Sequence, residues 1–294
     1  VAAIAEAPAP ATASAFERRP GWGAWLFMAP LLLWLVLFVV APTILLIVYS
    51  FAERDDFGRV VYHFTWQNYL DAFQWKWLKI LLYSIWYAFL TTVICMAVGF
   101  PAAWFIGRAP EKQRNLLMML VMIPFWTSFL IRTYAWITIL SNQGFLNATL
   151  LASGLTTSPL VMMYTPFAVV LGLVYNYLPF MILPIYTSVE KLDNALVEAA
   201  YDLGAGPVRA FSKVIIPLTK PGIAAGALLV FVPAIAMYAI TTLMGGGQVP
   251  TIGEKIQDQF TKASNPPFGA ALGTLLLLLF FVSLWFTQAR KRPA

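Results

Sequence analysis

Long apolar stretches separated by short polar ones dominate this chain. Residues 21–52, 80–107 and 263–289 contain no Asp, Glu, Lys or Arg, and 133–190 meets its first charge only at Glu190. Each stretch is long enough to supply the roughly 20 residues a helix needs to cross a bilayer. A membrane β-barrel would show short segments alternating between apolar and polar positions. Runs such as "LFMAPLLLWLVLFVVAPTILLIVY" are unbroken instead and favour helices. Six helices are predicted, over 24–49, 78–106, 115–140, 159–186, 222–244 and 270–285, with the polar stretch "SNQGFLNATLLASGLTTS" as a loop between the third and fourth. Pro30, Pro42, Pro101, Pro124, Pro166, Pro179, Pro184 and Pro233 fall inside these spans. Prolines are tolerated in lipid, where they mark bends or contacts with neighbouring helices. The predicted class is an all-α polytopic membrane protein.

Composition agrees with that pattern. Of the 294 residues, 60% are hydrophobic and 11% charged, whereas a soluble domain carries roughly 25% charged residues. A large soluble α/β protein with buried strands is the reading this disfavours. Residues 1–21 form an Ala/Pro-rich tail, predicted to be disordered and cytoplasmic, and 22–294 form one membrane domain. The first apolar run is too long for a cleaved signal peptide and follows Arg18 and Arg19. The single cysteine, Cys95, lies within an apolar run and is read as a packing residue.

Charge gives the sidedness. Arg18, Arg19, Arg108, Lys112, Arg114, Lys191, Arg209, Lys213, Lys220, Arg290, Lys291 and Arg292 would share one side, twelve in all. The other side would hold six: Arg54, Arg59, Lys76, Lys79, Lys255 and Lys262. Basic residues accumulate on the cytoplasmic side, so both termini are expected inside. The net charge of +6 is therefore mostly a topology signal, and no basic soluble domain is present to bind nucleic acid. In the first outer segment, "FTWQNYLDAFQWKW" brings Trp66, Trp75 and Trp77 to the membrane interface as belt residues.

The segment 187–221 is the longest connection on the inner side, and it is polar. Asp193 or Asn194 can cap a helix. Leu196, Ala200 and Leu203 then share one face, while Glu198 and Asp202, four apart, share another. Two like charges at that spacing give the helix no internal support, so they suit solvent or a basic partner. Gly204 and Gly206 are expected to end the helix by accepting left-handed geometry. Pro207 can open a second short helix with Val208, Phe211 and Ile215 on its apolar face, and Pro217 is expected to end it. The segment is either a solvated loop along the membrane or a rigid docking knob, with Ala199 and Ala200 permitting close approach.

"EAAYDLGAGPVRAFSKVIIPLTKPGI", residues 198–223, resembles the EAA motif of ABC-importer permeases. The matching positions are Glu198, Ala199, Ala200, Gly204, Ile216 and Pro217, with Lys220, Pro221 and Gly222 extending them. "PFWTSFLIRTYAWITIL", "YNYLPFMILPIYTSVEKLD" and "FVPAIAMYAITTLMGG" look like the spermidine/putrescine type, most similar to the first permease of its pair. The resemblance runs from about Trp22 onward. It implies a six-helix type I ABC-importer permease fold in a bacterial inner membrane, with a cytoplasmic coupling helix set into a cleft on an ATPase. Glu198, Ala199, Ala200, Asp202, Gly204 and Pro217 are the coupling residues it implies. The implied partners are a second homologous permease, two cytoplasmic ATPases that bind ATP and magnesium, and an extracytoplasmic binding protein, all around a chain in contact with lipid.

The chain carries no catalytic set and no cofactor site of its own. It has no phosphate loop of the GxxxxGK[ST] kind, since the glycines of "MGGGQVP" are followed by no lysine. No HExxH or paired-cysteine motif is present, and His63 stands alone as a surface side chain, so no metal is expected. Arg132 lies within the third span. Three roles fit it: pairing with a backbone carbonyl or a carboxylate elsewhere in the bundle, snorkelling to the outer headgroups, or lining the translocation path. Trp126, Tyr134, Tyr164, Tyr175, Tyr177 and Tyr238 form the pool of polar aromatics near the spans. Two or three of them would line the path, because aromatic faces suit both the alkyl and the ammonium parts of a polyamine. One departure from the family stands out: 236–243 supplies no acid, and Glu190 and Asp193 belong to the cytoplasmic half. Either a partner supplies the carboxylate, or the cargo is another small organic cation, an amino-acid derivative or a different polar solute. A non-transport membrane scaffold and a membrane enzyme are the competing classes.

Overall fold

The computed structural model describes the backbone of residues 22–55 and 57–289 and the side chains of 26–55 and 57–282. The tail 1–21 and the basic residues Arg18, Arg19, Arg290, Lys291 and Arg292 lie outside the described residues. The chain begins with α1 (Trp22–Leu35), a π-helical turn (Val36–Val40) and α2 (Ala41–Ser50), which together form one apolar rod. A two-residue ribbon of β1 (Glu53–Arg54) and β2 (Val60–Val61) follows, with Glu53 opposite Val61, then α3 (Gln67–Ala72). Asn68 ties α3 to the end of α2 by donating to the carbonyls of Ser50 and Ala52, at 3.0 and 2.8 Å. The remaining helices are α4 (Trp75–Arg108), α5 (Glu111–Trp126), α6 (Phe129–Leu140), α7 (Phe145–Ala152), α8 (Pro166–Glu190), α9 (Asn194–Asp202), α10 (Pro207–Ala210), α11 (Ile216–Ala236), α12 (Ala239–Gly245), α13 (Ile252–Thr261) and α14 (Pro266–Ala289).

Helices α4, α8 and α11 pack on one another and hold the core, while α14 lies against α2, α3 and α13. Glycine allows the close approach. Gly222 and Gly226 stand four apart on α11, and a Cβ on either would run into Pro184, Ser188 or Met181 of α8. Gly99 of α4 meets Met181 from the opposite side. Small residues at such crossings let backbones approach in lipid, where apolar burial gives helices no reason to associate. The rod of α1 and α2 is different. Its span Leu26–Ser50 is apolar and mostly exposed, apart from the α2 positions that meet α14, a surface suited to lipid or another subunit.

The apolar segments occur in the expected order, but several boundaries differ. Among the described residues, four helices are long and apolar enough to cross a membrane: Leu26–Ser50, Trp75–Arg108, Pro166–Glu190 and Pro207–Ala236. The expected span 115–140 is two helices, bent by 90° between Trp126 and Phe129. Thr127 turns both its amide and its hydroxyl onto the Pro124 carbonyl, at 3.3 and 2.9 Å, which stops α5, and α6 restarts after Ser128. The fourth span starts at Pro166, not 159, because Thr165 caps it with Pro166 at its first position.

The expected loop after α6 contains α7. Fully buried Asn147 staples that helix down, exchanging hydrogen bonds with the backbone N–H and carbonyl of Leu160 and donating to the Ser141 carbonyl. The fifth span begins earlier than expected and breaks at Met237, where Thr241 Oγ1 donates to the carbonyls of Met237 and Tyr238 at 3.1 and 2.8 Å.

Pro217 does not end a helix. The π turn Phe211–Ile215 carries the chain through it, with the Ile216 N–H bonded five residues back to the Phe211 carbonyl. The same device precedes Pro42, where the Ala41 N–H reaches the Val36 carbonyl. In an α-helix the proline ring clashes with the carbonyl four residues earlier, and a wider π turn relieves that crowding.

Candidate functional site

The polar connection after α8 folds as two short helices meeting at a corner. Asp193 opens α9 by accepting from the Ala195 N–H at 3.0 Å. Gly204 closes it at φ +78°. The Gly204 N–H donates to Tyr201 and the Ala205 N–H to Ala200, both at 2.9 Å, the two bonds of a Schellman motif. Gly206 departs from expectation. At φ −69° it is extended and serves as the N-cap of α10, because the residue before a proline is pushed away from helical geometry.

This corner is anchored to the bundle through Val197 and buried Ala210, and the rest of it faces outward. Glu198, Ala199 and Asp202 are exposed, and Ala200 is half-buried. Leu203 is 88% exposed and Val208 79%, with Leu196 and Tyr201 each about half exposed. The apolar face on which Leu196 and Leu203 sit is therefore largely uncovered among the described residues. Pro217 is exposed near the start of α11. Behind the corner, the ends of α4, α5 and α8 are locked together. Arg114 pairs with Glu190 at 3.2 Å, and Gly107 abuts Val189 closely enough that a Cβ would lie 2.7 Å from its Cγ1. The Arg108 guanidinium lies over the Trp104 ring at 4.6 Å.

On the opposite side of the core, Arg132 in the first turn of α6 donates through Nη2 to Asn176 Oδ1 on α8 at 3.0 Å. Asn176 in turn donates to the Gly172 carbonyl at 2.9 Å. Arg132 Nε is buried without a partner. The partner is a side-chain amide oxygen rather than the backbone carbonyl or carboxylate expected of a pairing role. The aromatic pool is dispersed. Trp126 and Tyr134, 77% and 57% exposed, flank the bend between α5 and α6. Tyr175 meets Trp136 edge-on at 5.6 Å, and Tyr177 is buried in the core beside Phe180. Tyr164 and Tyr238 are about half exposed, the latter at the break before α12. Of the interfacial tryptophans, Trp66 and Trp75 are exposed, whereas Trp77 packs on Phe268 at 5.0 Å. His63 lies 3.9 Å from Glu53 on the exposed ribbon.

The geometry of Arg132 gives a direct expectation. Arg132→Leu leaves Asn176 Oδ1 without its donor, at a cost of about 1–3 kcal/mol. The thermal midpoint of the detergent-extracted protein should fall accordingly. Arg132→Lys keeps the charge but loses the planar fork, so it should restore only part of that loss. An unchanged midpoint for Arg132→Leu, with altered cargo preference, would place the residue on the path instead.

One acid absent from the sequence reasoning emerges here. Glu254, in the first turn of α13, is 2% exposed. The motif around it is polar enough to pass for an outer loop. Only its contact with Ser84 of α4, through the Ile252 N–H at 2.7 Å, explains its burial.

Residues 99–292 match the family model described as "Binding-protein-dependent transport system inner membrane component". The spermidine/putrescine transport system permease protein PotB of Escherichia coli (strain K12) is 45% identical over 259 residues, covering 88% of this chain and 94% of that protein. PotB of Haemophilus influenzae is 42% identical over 253 residues, covering 85% and 88%. A chain of the bacterial alginate ABC transporter, solved in complex with an alginate pentasaccharide-bound periplasmic protein, matches with a TM-score of 0.75 at 16% identity and covers 92% of this chain, a likeness of fold. With two thirds of its length matched by the family model and close relatives aligned along most of theirs, this chain belongs to the inner-membrane components of binding-protein-dependent transport systems.

Proposed function

We propose that this chain forms half of a translocation pore for polyamines, with α9 as the helix through which ATP hydrolysis moves it. As a multi-pass inner-membrane permease it supplies no ATPase site, and ATP and magnesium belong to ATPase partners. The second half of the pore would be a homologous permease, and cargo would arrive on an extracytoplasmic binding protein. The bent pair α5–α6 counts as one span and α14 as the last, which makes six. Both termini and 187–221 then face the cytoplasm, following the distribution of Lys and Arg.

The observation that carries this reading is the free corner at α9 and α10. Its first helix is capped at both ends and acidic on one face, and Leu203 and Val208 at the corner are largely uncovered among the described residues. A rigid unit of this kind suits a cleft on a soluble partner. Polyamine as cargo rests on the spermidine/putrescine transport named for relatives that are 45% and 42% identical along most of their length.

The test is uptake by vesicles carrying the reconstituted complex with its binding protein. The panel would hold spermidine, putrescine, a quaternary amine, a zwitterion and an anion. Spermidine or putrescine should enter in an ATP-dependent manner and lead the panel. Preference for the zwitterion or the anion, with no polyamine uptake, would reject the cargo and leave the importer standing.

A further inference from the structure

Thr251, Ile252, Gly253 and Glu254 have the spacing of a capping box, in which threonine and glutamate close reciprocally on the first turn of a helix. Neither bond forms here. Thr251 Oγ1 donates instead to Thr241 Oγ1 at 3.1 Å, and no side chain caps α13. Glu254 has no hydrogen bond or ion pair within the described residues, and its Oε2 is buried without a partner.

The lysines of the same helix are already engaged. Lys255 and Lys262 both close on Asp258, at 3.1 and 2.8 Å. Burial works against the charge on Asp258, yet the hydrogen bonds from the two lysines hold its carboxyl below the usual range. Burial pushes Glu254 the other way, above the usual range, despite the nearby Lys255. Two carboxyls one turn apart thus differ in kind: one is a clamped anion, the other a buried acid awaiting a cation. A buried carboxylate is stable when a positive group meets it, and otherwise it holds its proton.

Its position adds meaning. Gly253 sits directly on the Ala236 carbonyl, where a Cβ would overlap the backbone. That carbonyl is the last of α11, at the break in the fifth apolar segment. The first turn of α13 is therefore seated on interrupted backbone, with the hydroxyls of Thr241 and Thr251 beside it and half-exposed Tyr238 at the same break. Broken helices with freed carbonyls are where membrane transporters hold cations.

We propose that Glu254 receives an ammonium group of the cargo at the break between α11 and α12, supplying the carboxylate that the spans of this chain lack. This deepens the polyamine reading and rests on it. The cation reaches Glu254 when the contact of α13 with α4 and α11 opens during the transport cycle, and its ammonium then pairs with the carboxylate.

Two measurements on the full complex decide the matter. In spermidine uptake by reconstituted vesicles, Glu254→Gln keeps the size of the side chain and removes its charge. It should reduce uptake at least about tenfold, a loss of about 1.4 kcal/mol of transition-state stabilisation. ATP hydrolysis stimulated by the binding protein should persist, and Glu254→Asp should retain part of the uptake. On the unmutated complex, an apolar carbodiimide should modify Glu254, as read by mass spectrometry, and saturating spermidine should protect it several-fold. This second measurement does not depend on how the variant folds. Wild-type uptake by Glu254→Gln, or modification indifferent to spermidine, overturns the proposal and leaves the polyamine reading intact. Glu254 unreactive in the complex without spermidine means that a partner subunit pairs it, which also overturns the proposal. Absence of polyamine uptake by the unmutated complex overturns the cargo reading itself.

Discussion

Glu198→Lys is expected to lower ATP-driven uptake by at least tenfold (about 1.4 kcal/mol) while leaving the fold intact. Glu198 is exposed on α9 and touches no core element, and surface substitutions of this kind stay within about 0.5 kcal/mol. Local stability should even rise slightly. A lysine at this position would face Asp202 one turn on, and an attractive pair at i, i+4 contributes about 0.2–0.5 kcal/mol where two carboxylates repelled. A helix that is no less stable and yet no longer transmits work is the signature of lost docking. The measurements are the thermal midpoint of the detergent-extracted chain, recovery of ATPase in a pull-down, and uptake in vesicles. Unchanged recovery and unchanged uptake would remove Glu198 from the coupling surface.

Gly222→Val is expected to do the reverse, destroying the fold before any question of coupling arises. The new side chain would be driven into the Pro184 carbonyl and Ser188 of α8. A flexible side chain could swing away, but a backbone carbonyl inside a helix cannot. Overpacking costs about 1–3 kcal/mol where neighbours can shift and more where they cannot. α8 and α11 form one of the principal contacts of the core, so the protein should be recovered poorly and melt early. Ala225, on the exposed side of the same helix, is the control. Ala225→Val adds a similar bulk toward lipid and should leave the melting point near that of the parent. If the two variants behave alike, the α8–α11 contact is not as close as described.

Much of this architecture was legible in the sequence because it depends on local patterns. Charge-free runs mark where helices lie in lipid, and Asp193 and Gly204 mark the two ends of α9 at the positions where they cap it. What escaped depends on partners far away in the chain. The bend after Trp126 requires Thr127 to fold back on Pro124, a choice that the apolar run around it does not announce. Asn147 is polar and looks like loop, yet its burial is dictated by Leu160 and Ser141. Glu254 looks solvent-bound until Ser84, 168 residues before Ile252, takes the Ile252 N–H two positions away. The spacing of Gly222 and Gly226 was visible, and small residues four apart in an apolar helix are a known contact signature. The corner of α9 and α10 was the most legible part of the candidate site, since its caps are encoded within a dozen residues. The surroundings of Arg132 were the least, because Asn176 lies on another helix.

The π turns ahead of Pro42 and Pro217 bear on how this chain is aligned with its relatives. A π turn spends one residue more than an α turn, and one residue rotates a helix by about 100°. A relative that crosses the same proline without the wide turn would carry one residue fewer there. A gapless alignment would then assign every later position of its fifth apolar segment to the wrong face until a gap restored the phase. Homology transfer of pore-facing positions along α11 therefore needs the indel placed within Phe211–Ile215, where the backbone absorbs it, and not in the loop at Gly206, where a sequence comparison would more readily put it.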